Sequence, residues 1–221
     1  SAAARARRLS DSAEIIMLER GNDPSFANCG MPYYVGGEIE SRDSLLVAPI
    51  EMLRQRHRLD VRTRTEVVKL DVENRRVDVH ELDTDKTYTE SFDKLILATG
   101  ASPFRPPIPG IDSTRVLELR DLSDADAMHS YVTSDSRRAV VVGAGFIGIE
   151  VAENLIRREI ETTVVELGDQ ILPPWDREMI LPLHQHVRDN GVDLRLEDSA
   201  EGFMPTDTGL TVTLKSGDQI E

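Results

Sequence analysis

Arg138-Ala-Val-Val-Val-Gly-Ala-Gly-Phe-Ile-Gly-Ile-Glu150 is the stretch that decides the fold of this chain. Its apolar run, residues 139–142, predicts a buried parallel strand, and the residues from Phe146 to Arg158 predict a helix. A strand followed at once by a helix begins a βαβ unit, which predicts an α/β fold with a parallel sheet. The alternation of strand and helix continues in residues 161–166, 177–190 and 192–196.

Three glycines lie at the junction of this strand and its helix, in the spacing Gly143-x-Gly145-x-x-Gly148. The first permits a tight turn, the second lets the backbone approach a pyrophosphate, and the third lets helix and strand pack closely. Glu166 ends the next strand, where a carboxylate accepts hydrogen bonds from ribose hydroxyls. Because that carboxylate repels a 2′-phosphate, the pattern predicts a dinucleotide site that favours NADH, without excluding NADPH.

Composition narrows the classes of function. The chain has 221 residues, with 26 Lys and Arg against 40 Asp and Glu, and this net charge of −14 disfavours nucleic-acid binding. No apolar run reaches the roughly 18–20 residues of a membrane span, and no signal peptide is recognisable, so we expect a cytoplasmic protein. One cysteine excludes a disulfide within the chain, and His184-Gln-His186 points two ways on a helix, so no metal site is predicted.

The charge is distributed unevenly along the chain. Residues 1–64 hold ten Lys and Arg against nine Asp and Glu, so the acidic excess lies entirely in residues 65–221. Two helices with solvated basic faces would explain this, and so would a surface that binds the phosphates of a ligand. The basic residues form two clusters, Arg5, Arg7 and Arg8, and then Arg54, Arg56, His57, Arg58, Arg62 and Arg64.

The first half of the chain predicts a second α/β unit. An alanine- and arginine-rich helix precedes a short apolar strand that ends at Glu19, as the later strand ends at Glu166. Four of the 11 prolines lie in residues 102–110, which predicts an extended crossover and a domain boundary.

The chain starts without Met and ends in a hairpin that has barely begun, so we expect both ends to be incomplete. Other predicted elements are a helix in 44–58, an antiparallel meander in 61–92 and a buried strand in 94–100.

The single cysteine lies in Ser25-Phe-Ala-Asn-Cys-Gly-Met-Pro-Tyr-Tyr34. A lone cysteine is more often a small buried apolar residue than a nucleophile. Here Pro32 is expected to be the first residue of a helix, which puts the sulfur of Cys29 beside a helix N-terminus that stabilises a thiolate. With no second cysteine, disulfide chemistry at Cys29 must pass through a mixed disulfide or a sulfenic acid.

The segment 25–34 resembles the active-site segment of coenzyme A-disulfide reductases, which are single-cysteine, flavin-dependent pyridine nucleotide–disulfide oxidoreductases. The resemblance implies two Rossmann-like dinucleotide-binding domains, for FAD and NADH, with an antiparallel β-meander insertion, as in glutathione reductase. It assigns residues 1–110 to a partial FAD-binding domain and 111–221 to an NAD(P)H-binding domain. It also implies a homodimer formed through a C-terminal domain outside this sequence. Supporting motifs, common to the wider family, are residues 16–20, 97–100 and 143–150.

The resemblance also implies roles for individual residues. Cys29 would be the redox centre beside the flavin, and coenzyme A would be the substrate or would be held covalently on Cys29. Phe146 would cover the flavin, and Glu150 would contact the nicotinamide or its surroundings. FAD would contact Glu19, Arg20, Val67, Ala98, Thr99 and Gly100. The nicotinamide nucleotide would contact Gly143, Ala144, Gly145, Phe146, Ile147, Gly148, Glu150 and Glu166. Coenzyme A would contact Arg5, Arg8, Ser25, Asn28, His57 and Arg58.

The function implied is reduction of coenzyme A disulfide by NADH through FAD and a Cys29–coenzyme A mixed disulfide. A reductase of coenzyme A persulfide or polysulfide shares this core. An NADH oxidase or peroxidase would instead cycle Cys29 through a sulfenic acid, although such relatives lack Pro32-Tyr33 after the Cys-Gly pair. An electron-transfer flavoprotein with a structural Cys29, and a nucleotide-binding module without activity, are further alternatives. Flavin absorbance and the mass of any covalently held coenzyme A discriminate among them.

Overall fold

The pattern around residue 143 folds as a strand, a turn and a helix in the computed structural model, which describes residues 1–134 and 136–221. Strand β6 (Arg138–Val142) pairs with β7 (Glu161–Val165), and β7 pairs with β8 (Asp193–Arg195), both in parallel, giving the strand order β6-β7-β8. Apolar side chains of this sheet and of α5 and α6 form a buried core around Val164 and Ile171. The predicted parallel sheet is therefore confirmed. Its elements are β6 (Arg138–Val142), α5 (Phe146–Arg157), β7 (Glu161–Val165), α6 (Arg177–Asp189) and β8 (Asp193–Arg195).

The same part of the molecule contains three further features. A helix that the sequence analysis missed begins after Asp121, whose side chain accepts from the backbone N–H groups of Ser123 and Asp124 in a capping box. The C-terminal hairpin forms as predicted, joined by one more antiparallel strand. A short helix from the cysteine segment also packs here, against α4 and α5. These elements are α2 (Met31–Val35), α4 (Leu122–Thr133), β9 (Ala200–Pro205), β10 (Leu210–Leu214) and β11 (Gln219–Ile220).

The remaining elements form a second assembly. Strand β1 pairs in parallel with β2, and Leu53, Leu59 and Val61 form a small core beneath them. Strands β3, β4 and β5 form the predicted antiparallel meander, with a register shift between Val67 and Lys69. The elements are α1 (Ala2–Leu9), β1 (Ile16–Leu18), α3 (Ile50–Gln55), β2 (Asp60–Arg62), β3 (Thr65–Asp71), β4 (Arg76–Glu81) and β5 (Lys86–Ser91).

Two predicted elements are wrong. Residues 44–58 do not form one helix, because Pro49 lies before α3 in an extended conformation and a separate 3-10 turn spans Arg42–Leu45. Residues 94–100 are not in a strand, although Ile96 and Leu97 are as apolar as a core strand requires. Ile96 and Leu97 are 64% and 67% exposed, and no described strand pairs with this segment.

The chain divides into two compact units. The flavin unit, as we call it for its predicted ligand, contains residues 1–27 and 45–101, and the nucleotide unit contains 28–44 and 102–221. The assignment of 1–110 to FAD and of 111–221 to NAD(P)H stays a prediction. The mixed α/β class with parallel sheets is the predicted one. Among the described residues, none of the helices has the length and apolar character needed to cross a membrane.

Candidate active site

The glycine loop between β6 and α5 leaves open space above its backbone. Gly143 has a φ of 100°, which favours glycine, and a Cβ atom at Gly143 or Gly145 would meet nothing within 4 Å. Gly145 is the N-cap of α5 and supplies no capping side chain, so the N–H groups of the first turn are available to an anion. At Gly148, in contrast, a Cβ would collide with the carbonyl of Gly143. The loop therefore has free space above Gly143 and Gly145, where a ligand could bind, and it is in tight contact with α5 at Gly148.

The Glu166 carboxylate holds this loop. Its Oε2 accepts a hydrogen bond from the backbone N–H of Ala144 at 2.8 Å, and its Oε1 accepts from that of Gly168 at 2.7 Å. The Glu166 side chain is only half-buried, and each carboxylate oxygen has a second acceptor site for a ribose hydroxyl. The arrangement fits a nucleotide that carries a free 2′-hydroxyl.

The loop after β7 is joined to the glycine loop by a backbone hydrogen bond and to helix α6 by one histidine. Leu172 donates its N–H to the carbonyl of Ala144 at 2.8 Å, and buried Ile171 donates its N–H to Nε2 of His184 at 3.1 Å. His184 is 6% exposed, and burial, with the positive charges of Arg188 and Arg177, lowers its pKa. Since Nε2 accepts a hydrogen bond, the ring is neutral in this geometry.

The pair of histidines on α6 does not form a metal site. His184 is buried and bonded to the backbone of Ile171, whereas His186 is exposed on another face of the helix. Within residues 1–134 and 136–221, no group of three or more His, Cys, Asp or Glu side chains is placed to hold a metal ion.

The predicted contacts of the nicotinamide ring lie at the first turns of α5. Phe146 and Ile147 are 53% and 59% exposed, so their side chains are accessible to a ligand at the glycine loop. Glu150 is half-buried one turn further along, and its carbonyl accepts from the side-chain amide of Asn154 at 2.8 Å.

Cys29 is exposed, in a 3-10 turn over Asn28–Gly30 that contains no buried residue. Asn28, predicted to contact coenzyme A, is exposed beside it. Helix α2 begins at Met31, so Pro32 is its second residue and not its first, a small correction. The alternative of Cys29 as a buried packing residue is wrong, because its side chain is accessible. The turn belongs to the nucleotide unit, together with the glycine loop.

Four side chains that sequence reasoning missed hold the cysteine segment within the nucleotide unit. On α4, the Asp126 carboxylate accepts from the Tyr34 hydroxyl at 3.1 Å and from Nε of Arg42 at 2.8 Å. The ring of His129 stacks on that of Tyr34, with centroids 4.6 Å apart. Burial and the hydrogen bond to Asp126 raise the pKa of Tyr34, so its hydroxyl keeps its proton. The spacing of Asp126 and His129, three residues apart after a capping box, was the available sequence signal.

In the flavin unit, Glu19 reproduces the geometry of Glu166. Its Oε1 accepts from the N–H of Gly21 at 2.7 Å, just as Glu166 accepts from Gly168. Arg20 pairs with Glu66 at 3.6 Å, and Val67 is 42% exposed on β3. Ala98, Thr99 and Gly100 are exposed, in a segment without regular secondary structure. A carboxylate at a strand end fits the ribose of FAD, so the residues present are compatible with that cofactor.

A residue not assigned to coenzyme A, Arg7, joins helix α1 to the backbone of His57 and Arg58. Buried Arg7 donates to the carbonyls of His57 and Arg58, both at 3.0 Å, and to those of Ser10 and Asp11. Arg7 is therefore structural, which corrects its place in the basic cluster. Arg5 and Arg8 are exposed on α1, whereas Arg58 is paired with Asp11 at 2.8 Å. Ser25 is half-buried and lines a small cleft with Leu46 and Pro49.

Comparison with known proteins identifies close relatives of the whole chain. Residues 1–221 match the family described as pyridine nucleotide-disulphide oxidoreductase. The coenzyme A disulfide reductase of Staphylococcus aureus strain JH9 is 33% identical over 216 residues, which is 97% of this chain and 48% of that protein. The chain thus spans about half the length of the curated relatives it matches.

Two solved structures superimpose closely on the chain. The reduced CoADR-RHD of Bacillus anthracis is 45% identical with a TM-score of 0.94, covering 99% of this chain and 39% of that one. A NAD-dependent persulfide reductase from A. fulgidus is 32% identical with a TM-score of 0.94, covering 99% of this chain and 41% of that one.

Proposed function

The chain belongs to the pyridine nucleotide-disulphide oxidoreductase family, and on that premise we propose that it carries the redox core of an NADH-dependent reductase of coenzyme A disulfide. One observation carries the proposal. The only cysteine is exposed, on a turn within the same compact unit as a glycine loop built for a dinucleotide. Similarity to the S. aureus coenzyme A disulfide reductase over 97% of the chain supports this choice of substrate.

NADH would bind with its pyrophosphate at Gly143–Gly148 and its adenosine ribose at Glu166, with Phe146, Ile147 and Glu150 toward the nicotinamide. FAD would be held by Glu19 and Arg20 at its ribose, by Val67, and by residues 98–100. When bound, FAD supplies a two-electron connection between NADH and a disulfide. The carboxylate of Glu166 disfavours NADPH because it would face the 2′-phosphate.

Cys29 performs the exchange step in this proposal. Its thiolate attacks one sulfur of coenzyme A disulfide, forms a Cys29–coenzyme A mixed disulfide, and expels one coenzyme A thiolate. Two electrons from NADH then cleave the mixed disulfide, which releases the second coenzyme A and restores the Cys29 thiolate. Per turnover, NADH, one proton and one coenzyme A disulfide give NAD⁺ and two coenzyme A thiols. Arg5, Arg8, His57 and Arg58 would bind the phosphates of coenzyme A, and Ser25 and Asn28 its remaining polar groups.

A persulfide of coenzyme A is the second candidate acceptor. The specific observation in its favour is the 32% identity to the NAD-dependent persulfide reductase from A. fulgidus. The same Cys29 exchange serves both, because each substrate presents a sulfur–sulfur bond. In the whole protein we expect a cytoplasmic homodimer.

The test uses the full-length holoenzyme and its Cys29→Ser variant. We expect the variant to lose NADH-dependent reduction of coenzyme A disulfide, while reduction of ferricyanide, which takes electrons directly from a flavin, is unchanged. The intact mass of wild-type protein isolated without reductant should exceed that of the same protein after reduction with dithiothreitol by one coenzyme A less two hydrogens, and the variant should show no such difference. Disulfide reduction that survives Cys29→Ser would refute the proposal, and an added oxygen in place of coenzyme A would favour the oxidase alternative. The ratio of kcat/KM for the disulfide and the persulfide decides between the two acceptors.

A further inference from the structure

The turn that carries Cys29 has little to fix it in place by itself. Residues 28–30 form a single 3-10 turn, and both Asn28 and Cys29 are exposed. The residues that follow the turn are buried, since Met31 is 4% exposed and Val35 is 0% exposed. The position of the sulfur therefore depends on how the helix α2 and the loop after it are held.

One carboxylate fixes this segment at two points. Tyr34 lies in α2 and Arg42 lies eight residues later, in the next 3-10 turn. Asp126 accepts from the Tyr34 hydroxyl with Oδ1 and from Arg42 with Oδ2, so neither oxygen can move without loss of a hydrogen bond. The partners are 92 and 84 positions from Asp126 in the sequence, so these bonds join distant parts of the chain.

His129 adds two further contacts to the same tyrosine. Its Nδ1 lies 2.9 Å from the backbone carbonyl of Tyr34, and because a carbonyl only accepts, Nδ1 carries the proton. The two rings are nearly parallel, at an interplanar angle of 11°. Tyr34 is thus held through its hydroxyl, its ring and its backbone by two residues one turn apart on α4.

Helix α5 closes the other side of the segment. A Cβ atom at Gly36 would overlap the side chain of Asn154, which is fully buried, so the backbone of the segment lies directly on this side chain. Arg157, near the end of α5, also pairs with Glu38. The helix that begins at the glycine loop therefore ends against the loop that follows Cys29.

We propose that Asp126, together with His129, positions Cys29 for thiol–disulfide exchange, acting through Tyr34 and Arg42 without touching substrate. The inference rests on the proposed function, because it assumes that Cys29 attacks a disulfide. Exchange requires the attacking sulfur to approach along the axis of the sulfur–sulfur bond, so loss of alignment slows it even when the thiol stays reactive. A small alkylating reagent has no such requirement, and this difference provides the test.

The experiment compares two reactions of Cys29 in the holoenzyme reduced with one equivalent of NADH, so that no electrons remain to cleave the mixed disulfide once it has formed. The first is formation of the mixed disulfide at saturating coenzyme A disulfide, followed by quenching and intact mass. The second is alkylation by iodoacetamide. For Asp126→Ala we expect mixed-disulfide formation to slow about tenfold or more, with alkylation unchanged within about twofold and ferricyanide reduction unchanged. Asp126→Asn, which keeps an acceptor for Tyr34, should fall between Asp126→Ala and the wild type.

Tyr131→Phe is the matched control, because Tyr131 lies on the same helix and donates its hydroxyl to the carbonyl of Thr114 instead. It should behave as the wild type in both reactions. If Asp126→Ala does not fold, Tyr34→Phe carries the test, since it removes one hydrogen bond and keeps the ring.

Three outcomes overturn the inference: mixed-disulfide formation at the wild-type rate in the Asp126→Ala or Tyr34→Phe variant, equal slowing of both reactions, or slowing by Tyr131→Phe. Failure of the proposed function is detected separately, by the Cys29→Ser variant alone. If Cys29→Ser abolishes disulfide reduction and Asp126→Ala leaves exchange unchanged, only the positioning role fails.

Discussion

At the scale of single residues, the contact between Gly148 and the carbonyl of Gly143 predicts a specific loss of nucleotide affinity. A methyl group at position 148 would overlap that carbonyl and displace the loop. Overpacking of this kind costs about 1–3 kcal/mol. We therefore expect Gly148→Ala to raise the dissociation constant for NAD⁺ about tenfold, as a free-energy change of about 1.4 kcal/mol requires. Titration of the oxidised holoenzyme with NAD⁺, which is not consumed, measures the effect without turnover.

Gly202→Ala is the control for this substitution. Its added methyl would meet only Thr213, at 3.9 Å, an ordinary contact. It should leave the dissociation constant unchanged. An unaltered affinity in Gly148→Ala would show that the loop accommodates a side chain, and would contradict the close approach of helix and loop at this position.

Residue patterns predicted the geometry of the glycine loop better than the long-range contacts of the candidate site. The tight turn at Gly143 and the close packing at Gly148 could be predicted because each depends only on the local backbone, and the role of Glu166 at a ribose stays a prediction. Arg7 could not be distinguished from Arg5 and Arg8, since only the folded chain puts the carbonyls of residues 57 and 58 within its reach. The contacts of Asp126 with Tyr34 and Arg42 were likewise hidden by their separation along the chain.

At the scale of elements, helix α6 and the loop after β7 are connected by a hydrogen bond that depends on pH. Protonation of His184 would place an N–H group against the N–H of Ile171 and break the bond. Because its pKa is lowered below the ordinary value of 6.5, the folded state binds this proton less readily than the unfolded state. The stabilisation is present above pH 6.5 and is lost as the pH falls through the lowered pKa. We expect the thermal midpoint and the affinity for NAD⁺ to decline together over that range.

The control for this prediction lies on the same helix. His186 is exposed, so His186→Asn should leave the pH dependence unchanged. His184→Leu should remove this part of the pH dependence, at the cost of lower affinity throughout. Affinity that is constant as the pH falls below 6.5 in the wild type would argue against a role for the His184 bond.

Elements were predictable where their pattern is local. The apolar periodicity within each segment predicts the parallel strands and helices around the glycine loop, and it also predicts the antiparallel meander. Residues 94–100 carry the pattern of a buried strand, yet a strand requires a partner that residue pattern alone does not supply. In 44–58 the apolar spacing suggested one helix, and Pro49 prevented it. Helix α4 was missed because its signal lies in the capping box and not in an apolar stripe.

At the scale of the whole molecule, the uneven charge predicts different salt effects on the two proposed substrates. The net charge of −14 repels anions, but residues 1–64 carry Arg5, Arg8 and Arg58, which we assign to coenzyme A. Between about 0.01 M and about 1 M salt the screening length falls from about 30 Å to about 3 Å. We expect KM for coenzyme A disulfide to rise several-fold over this range, while KM for NADH stays constant or falls.

Steady-state kinetics with each substrate varied in turn measures both effects. Arg5→Ala combined with Arg8→Ala should reduce the salt dependence for coenzyme A disulfide and leave that for NADH as it was. If KM rose equally for coenzyme A disulfide and for NADH, both would be subject to the same average electrostatic potential of the protein. The basic residues would then not bind phosphates.

The division of the chain, in which residues 28–44 leave one unit to pack in the other, has a consequence during biosynthesis. The ring of Tyr34 can stack on that of His129 only after a further 95 residues have been synthesised. At ribosomal rates of about 5–20 residues per second, this delay is roughly 5–20 s. Throughout that interval the nascent chain presents an unanchored thiol to its surroundings. A reducing compartment, or an early mixed disulfide with a small thiol, would protect it until α4 and α5 have emerged.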